Sequence, residues 1–262
     1  MSAAHDGGLV FITGASSGIG QALAARFAAA GYRLALVARR ADEVARWAEA
    51  HGLHKGRYAV HAADVRDIDS IAAAGRACIE TLGLPDVVIA NAGISVGVDT
   101  AIRADLDVMR ATFETNVVGV AATFHPFVAA MRGRGSGRLV GIASVAGIRG
   151  MPGHGAYCAS KAAVISYCES LRGELRGTGV RVVTLAPGYI DTPLTRGNRY
   201  PMPFLISAAE FADRAYASIA SGSGYRVIPW QMALVARVLR ALPNAVFDRL
   251  LAGRPRKRRQ GE

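Results

Sequence analysis

Short apolar runs alternate along the chain with segments of helical spacing. Residues 9–13 (LVFIT) form an apolar run that ends at a glycine, which predicts a buried strand. Residues 18–30 have helical composition and stop at Gly31, a residue suited to closing a helix. Residues 33–38 predict a second strand, 41–50 a helix ending near Gly52, 57–62 a third strand and 67–82 a helix. A fourth strand follows at 86–90, then one long helix over 106–131, bent at His125 and Pro126. Strands at 138–143 and 180–186 bracket a helix at 156–176. A helix over 208–220 opens with the capping-box pattern Ser207…Glu210, and residues 224–228 supply a last strand. Alternation of this kind predicts a single-domain α/β fold, a doubly wound parallel sheet with helices on both faces. In such sheets a ligand lies at the carboxyl ends of the strands, where every motif below falls.

Length and composition change this picture little. A chain of 262 residues, 51% hydrophobic, suits one α/β core. Three unpaired cysteines read as reduced thiols, which implies a cytoplasmic protein. No basic–apolar leader opens the sequence, and no run reaches the roughly 20 apolar residues of a membrane span. The net charge of +11 is uneven: residues 225–262 carry nine Arg or Lys against two acids, so the remaining 224 residues carry only +4. The basic character is a property of the tail.

Candidate chemistry begins at Thr13, in the run TGASSGIG. Gly14, Gly18 and Gly20 permit a tight turn and close approach of backbone to a pyrophosphate. Ser16, Ser17 and Ile19 lie in the same turn, and the helix start offers free N–H groups. An ordinary Gly/Ser turn is the plain alternative. The strand–loop–helix context favours a dinucleotide. Arg39 and Arg40 follow the second strand, where an acid would bind the ribose of NAD. A 2′-phosphate carries about −1.5 to −2 charges and suits an arginine fork, so the pair predicts NADP rather than NAD. Asp64 and Val65 follow the third strand, where a carboxylate can accept from an adenine amino group or cap the next helix. Asn91, Ala92 and Gly93 follow the fourth, and their small size leaves room for a cofactor over the sheet edge.

Tyr157 and Lys161 share one face of a predicted helix. A phenol titrates near 10, and lowering that by two to three units takes about 3–4 kcal/mol. An ammonium about 4 Å away supplies about 4 kcal/mol at an effective dielectric near 20. The spacing therefore predicts that Lys161 brings the Tyr157 phenol within reach of neutral pH. Ser144 ends the fifth strand and can donate to a substrate oxygen. Asn116 is a polar residue among apolar neighbours in the long helix, which costs stability and points to a role.

Taken together these residues resemble the short-chain dehydrogenase/reductase family in its compact branch. The match runs from residue 9 to about 229 through TGASSGIG, Asp64, NAG at 91–93, Asn116, Ser144, YCASK at 157–161 and PGYIDTP at 187–193. The resemblance implies a Rossmann-type sheet of about seven strands and an NADP(H)-dependent oxidoreductase interconverting a carbonyl and an alcohol. It implies that Tyr157 is the general acid/base, that Ser144 polarises the substrate oxygen, and that Lys161 tunes Tyr157 and binds the nicotinamide ribose. It further implies that Asn116 holds a relay water, and that Pro187, Gly188, Ile190 and Thr192 contact the nicotinamide. It also implies a homo-oligomer, a dimer or tetramer. A cofactor-binding protein of the same fold without turnover is the alternative, and the intact Ser144, Tyr157, Lys161 and Asn116 argue against it.

A substrate lid is expected between Pro193 and Phe211, with apolar residues in its second half pointing to a lipophilic substrate. Ser95, Val96, Arg149, Met151 and His154 are candidates for the pocket wall. Residues 230–253 predict a helical extension, and 254–262 a solvated basic tail. The extension can cap the pocket, form a subunit interface or make peripheral membrane contact over 230–259. Nucleic acid is not expected, since basic and aromatic residues are not interleaved.

Overall fold

The computed structural model describes residues 7–54, 56–198 and 200–261. Its main strands are β1 (Gly7–Thr13), β2 (Tyr32–Ala38), β3 (Tyr58–Ala62), β4 (Val87–Ala90), β5 (Gly137–Ile142), β6 (Val180–Pro187) and β9 (Tyr225–Ile228). All seven run parallel in one sheet, in the order β3-β2-β1-β4-β5-β6-β9. A separate two-stranded ladder, formed by β7 (Ile190–Asp191) and β8 (Ile206–Ser207), lies in the lid region. The predicted strands and helices agree with the structure to within a residue or two, apart from the long helix predicted over 106–131, this ladder and the short helix α7 (Pro193–Arg196), which the apolar pattern does not mark.

Alternate strand residues feed opposite faces, because the side-chain period of a strand is two. Leu9 and Phe11 of β1 belong to one buried cluster with Val88, Leu139 and Val182. Val10 and Ile12 belong to the other, with Leu34, Leu36, Ile89 and Val140. Helices α3 (Ile68–Leu82), α5 (Gly119–Arg134) and α6 (Gly155–Glu174) cover the first face through Ile71, Phe124, Phe127 and Val164. Helices α1 (Gly18–Ala29), α2 (Ala41–Ala50) and α8 (Ala208–Ser221) cover the second through Leu23, Phe27, Val44 and Phe211. The Phe11 and Phe127 rings meet at 4.8 Å, tilted by 60°, and pin α5 to the sheet centre.

The long helix predicted over 106–131 is discontinuous, and not at Pro126. Helix α4 (Arg103–Phe113) passes through one π-helical turn, Glu114–Val118, into α5. Pro126 sits inside α5, its ring against Gly75 of α3; a Cβ on Gly75 would lie 2.6 Å from Pro126 Cγ. The wide turn carries Asn116, and such insertions recur at functional positions.

The basic tail is anchored to the fold, although Arg254, Pro255, Arg256 and Arg258 are exposed. Helix α9 (Gln231–Ala241) runs from β9, and α10 (Asn244–Leu251) follows. Arg149 holds both: its guanidinium donates to the carbonyls of Leu239 and Leu242 and to Asn244 Oδ1, and lies 3.8 Å over the Phe247 ring. Residues 254–259 then cross the carboxyl side of the sheet as a strap. Gly97 N donates to Arg258 O at 2.8 Å, and Arg259 Nε donates to Asp105 Oδ2 at 2.7 Å. Asp105 is 3% exposed and accepts a second bond from Asp99 N. A buried carboxylate must be paired, so desolvation that would penalise a lone Asp105 instead fixes Arg259 in place. Charge patterning alone could not show this, since the partner lies 154 residues away. Among the described residues no helix is long and apolar enough to cross a membrane.

The Arg259 bond draws the Asp105 carboxyl below its ordinary range, so this anchor holds above that range and weakens as the carboxyl is protonated. Asp105→Asn should therefore speed tryptic cleavage within 254–259 at neutral pH several-fold. Mass spectrometry of timed digests checks this; equal rates for variant and wild type would show the strap is held elsewhere.

Candidate active site

The loop between β1 and α1 is shaped by close approach of two chain segments. Gly14 has φ of 69°, and a Cβ there would lie 2.8 Å from the Ala92 Cα. Asn91 ties the two segments together: its Nδ2 donates to Thr13 O at 3.0 Å and Gly14 O at 3.2 Å. Gly20 lies behind the loop, where a Cβ would overlap the Gly14 carbonyl. Ser17, at the N-cap of α1, makes no capping bond with its side chain, so the first N–H groups of α1 face the groove without that partner. This Gly-lined approach and open helix start fit a dinucleotide pyrophosphate.

A groove of about 510 Å³ runs from this loop along the carboxyl edge of the sheet. Gly14, Ser16, Ser17, Gly18, Ile19, Arg39, Arg40, Asp64, Val65, Asn91, Ala92, Gly93, Pro187, Gly188, Ile190 and Thr192 all line it, as do Ser144, Tyr157 and Lys161. Of the nucleotide residues expected from sequence, Gly20 alone stands back from the wall, and it acts through packing. At the adenosine end the structure adds Arg66, which sequence reasoning missed. Arg66 Nη2 bonds Asp64 Oδ2 at 2.7 Å, and Arg39 Nη1 lies 3.9 Å from the same carboxylate. The Arg66 bonds hold the Asp64 carboxyl below its ordinary range. Asp67, not Asp64, caps α3, accepting from Ser70 N at 3.0 Å. Arg40 pairs with Glu43 at 2.6 Å. Arg39, Arg40 and Arg66 thus cluster at this end beside Asp64 and Glu43, and the Glu114 charge also acts on Arg66.

At the other end, Lys161 is 4% exposed and its Nζ donates to Ile142 O at 2.8 Å. The ammonium lies 5.8 Å from the Tyr157 ring centroid. The two side chains share the groove, as their four-residue spacing predicts. The electrostatic expectation needs correction, however. Burial pushes the Tyr157 phenol above its ordinary value, and a hydrogen bond with Ser144 pulls it only partly back. Burial also pushes Lys161 down to about 8. Desolvation is the largest influence on both groups, and the ammonium is spent on the Ile142 carbonyl. Ser144 Oγ accepts from Ala146 N at 3.1 Å, which fixes its rotamer.

Asn116 is fully buried in the π-helical turn. Its Nδ2 donates to Ile94 O at 2.9 Å and Ser160 Oγ at 3.0 Å, and its Oδ1 accepts from Ile94 N at 2.8 Å. Ser160 in turn donates to Tyr157 O at 2.8 Å. The amide therefore stitches the chain after β4 to the helix that bears Tyr157 and Lys161, and Oδ1 keeps one lone pair. A Cβ on Gly93 would lie 3.2 Å from that Oδ1 and 3.5 Å from Lys161 Nζ, so glycine leaves the space between them open.

A second, smaller cavity of about 150 Å³ adjoins the groove, and Ser144 and Tyr157 line both. Ser95, Met151 and His154 line it as expected; Val96 and Arg149 do not. Arg149 is committed to the C-terminal helices. Tyr189, Tyr200, Leu194 and Asn198 close one side, with His154 Nε2 3.2 Å from the Tyr200 hydroxyl. Leu251, Arg254, Pro255 and Lys257 close another, so the extension does cap this cavity. Arg199 of the expected lid lies outside the described residues.

Residues 8–202 match the sequence profile of the short chain dehydrogenase family. The chain belongs to the short-chain dehydrogenase/reductase family. An uncharacterized oxidoreductase of Myxococcus xanthus is 39% identical over 240 residues, 90% of this chain and 93% of that protein. A short-chain dehydrogenase/reductase from Burkholderia phymatum, solved in complex with NAD, superposes with a TM-score of 0.80 at 25% identity, covering 89% of this chain and 93% of that one. An alcohol dehydrogenase from Thermococcus sibiricus, solved with 5-hydroxy-NADP, gives 0.74 at 26% identity over 84% and 95%. This short-chain dehydrogenase is thus an oxidoreductase of that family.

The buried Lys161 makes stability depend on pH. The unfolded chain holds the lysine proton to about 10.5, whereas the fold releases it near 8. Between those values the unfolded state binds more protons, so wild type gains stability as pH rises. Relative to Lys161→Met, wild type should gain up to roughly 3 kcal/mol between pH 7 and pH 10.5. Paired denaturant titrations across that range measure it; a flat difference would mean Lys161 titrates normally.

Proposed function

We propose that this protein is an NADP(H)-dependent oxidoreductase that reduces a small carbonyl compound to an alcohol. The observation that carries the reading is that Tyr157 and Ser144 line both cavities, where the two adjoin. A dinucleotide held in the larger groove would supply the hydride. Tyr157 gives its phenolic proton to the carbonyl oxygen, and Ser144 donates a hydrogen bond that polarises the same oxygen. A phenol held protonated by burial is already the acid that reduction needs. Alcohol oxidation needs the phenolate, so its rate rises with pH while reduction stays level through neutrality. Lys161 stands behind Tyr157 as a proton source, and the open space above Gly93 suits a water between Lys161 and Asn116. The side walls Val145, Met151, Leu194 and Leu251 accept an apolar substrate body.

The cofactor preference rests on the cluster of guanidinium donors that Arg39, Arg40 and Arg66 present to the groove. A 2′-phosphate replaces the intramolecular carboxylates as their partner, and a free ribose offers them nothing equivalent. Fluorescence titration should show NADPH binding at least about tenfold tighter than NADH, with Arg39→Ala narrowing the gap. Tighter NADH binding would overturn the assignment. Tyr157→Phe should abolish NADPH oxidation across a panel of aldehydes and ketones while leaving NADPH affinity unchanged. Retained turnover would remove Tyr157 from the reaction.

A further inference from the structure

The strap changes the chemistry of the smaller cavity. Lys257 Nζ donates to Leu194 O at 2.9 Å and to Asn198 Oδ1 at 2.8 Å, both in the lid. Those bonds use two of its three N–H donors and neither partner is charged. Arg254 lines the same cavity and has no carboxylate partner among the described residues. His154 is a third basic group in the wall, and no Asp or Glu is among the residues that line it. The charges act on their neighbours: burial lowers the His154 pKa and the Lys257 ammonium lowers it further, while Arg254 opposes the upward shift that burial imposes on Tyr189. The Lys257 ammonium is half-buried and held only by neutral oxygens, so an anion in the cavity would offset its desolvation, while Arg254 stands exposed at the rim.

We propose that the C-terminal strap makes this cavity a site for small carbonyl compounds carrying an anionic end group, a carboxylate or sulfonate, bound by Lys257 and Arg254. The inference rests on the smaller cavity being the substrate site of the proposed reductase. Its volume of about 150 Å³ suits a compound of a few carbons rather than a long acyl chain. The carbonyl lies at Tyr157 and Ser144, the short apolar body against Leu194 and Leu251, and the anion toward the strap. Anchoring of Arg259 on the buried Asp105 holds the two cations in place before the substrate arrives. Lys257 and Arg254 are specificity-determining residues, and neither takes part in the proton or hydride transfer.

The test is a matched pair, succinate semialdehyde and its uncharged methyl ester, assayed by NADPH absorbance with the full-length enzyme. Wild type should favour the acid by at least about tenfold in kcat/KM, the scale of a charge-assisted contact. Arg254→Gln removes charge without breaking any strap bond, and should lower that ratio by raising KM for the acid. Lys257→Gln should do the same, and Lys257→Arg should restore most of the preference. A wild-type ratio near one, or a ratio unmoved by both neutral variants, overturns the proposal. Calorimetric titration of both compounds into the NADPH complex measures the same preference independently of turnover; equal affinities, or no binding of the acid, count against it. Tyr157-dependent reduction of the ester without preference for the acid leaves the reductase reading standing and removes this one. Preference for the acid that persists with undiminished turnover in Tyr157→Phe does the reverse.

Discussion

The strand order places β1 between β2 and β4, and this constrains everything else. The helix that follows β1 packs on one face of the sheet, through Leu23 and Phe27. The helices that follow β4 pack on the other, through Phe124 and Phe127. The two chain segments leaving the sheet there diverge, and backbone cannot fill the gap between them. Asn91 holds the edges of that gap at fixed separation by bonding Thr13 O and Gly14 O. The nucleotide groove is the consequence of this divergence, and glycines at the loop let its floor come close.

Around that groove the protein holds charged and polar groups under cost. Lys161 is buried against one carbonyl, Asn116 is buried in a helical turn of unusual width, and the Tyr157 phenol is kept protonated by its surroundings. Each is expensive in isolation, and each is satisfied by a defined backbone or hydroxyl partner. The same logic governs the C-terminal strap, where a carboxylate 3% exposed is met by Arg259. The strap thereby acquires a fixed position over the smaller cavity and brings two further cations with it.

Much of this was legible in the sequence, because the relevant patterns are local. Apolar runs of strand length and helical spacing each report on neighbouring residues, so the seven main strands and their order of appearance could be read directly. The TGASSGIG turn, the arginines after β2, and Tyr157 with Lys161 were readable for the same reason: a spacing of one to seven residues fixes which side chains share a turn or a face.

What the tertiary structure decided concerns balances and partners at long range. Whether Lys161 lowers Tyr157 depends on how far the ammonium sits from the phenol and on what buries each, and here burial prevails. Arg66 joins the adenosine corner because Asp64 orients it, and Arg149 leaves the pocket to hold α9 and α10. The long helix also carries a π-helical turn at Asn116, whose amide bonds Ile94 and Ser160 far away in the chain. Most of all, a run of basic residues looks solvated until its acidic partner, distant in the chain and hidden in the fold, is known. Local periodicity determined the elements and the placing of Tyr157 with Lys161 on one helix face; desolvation and long-range pairing, which no local pattern encodes, determined how those groups are tuned and what covers them.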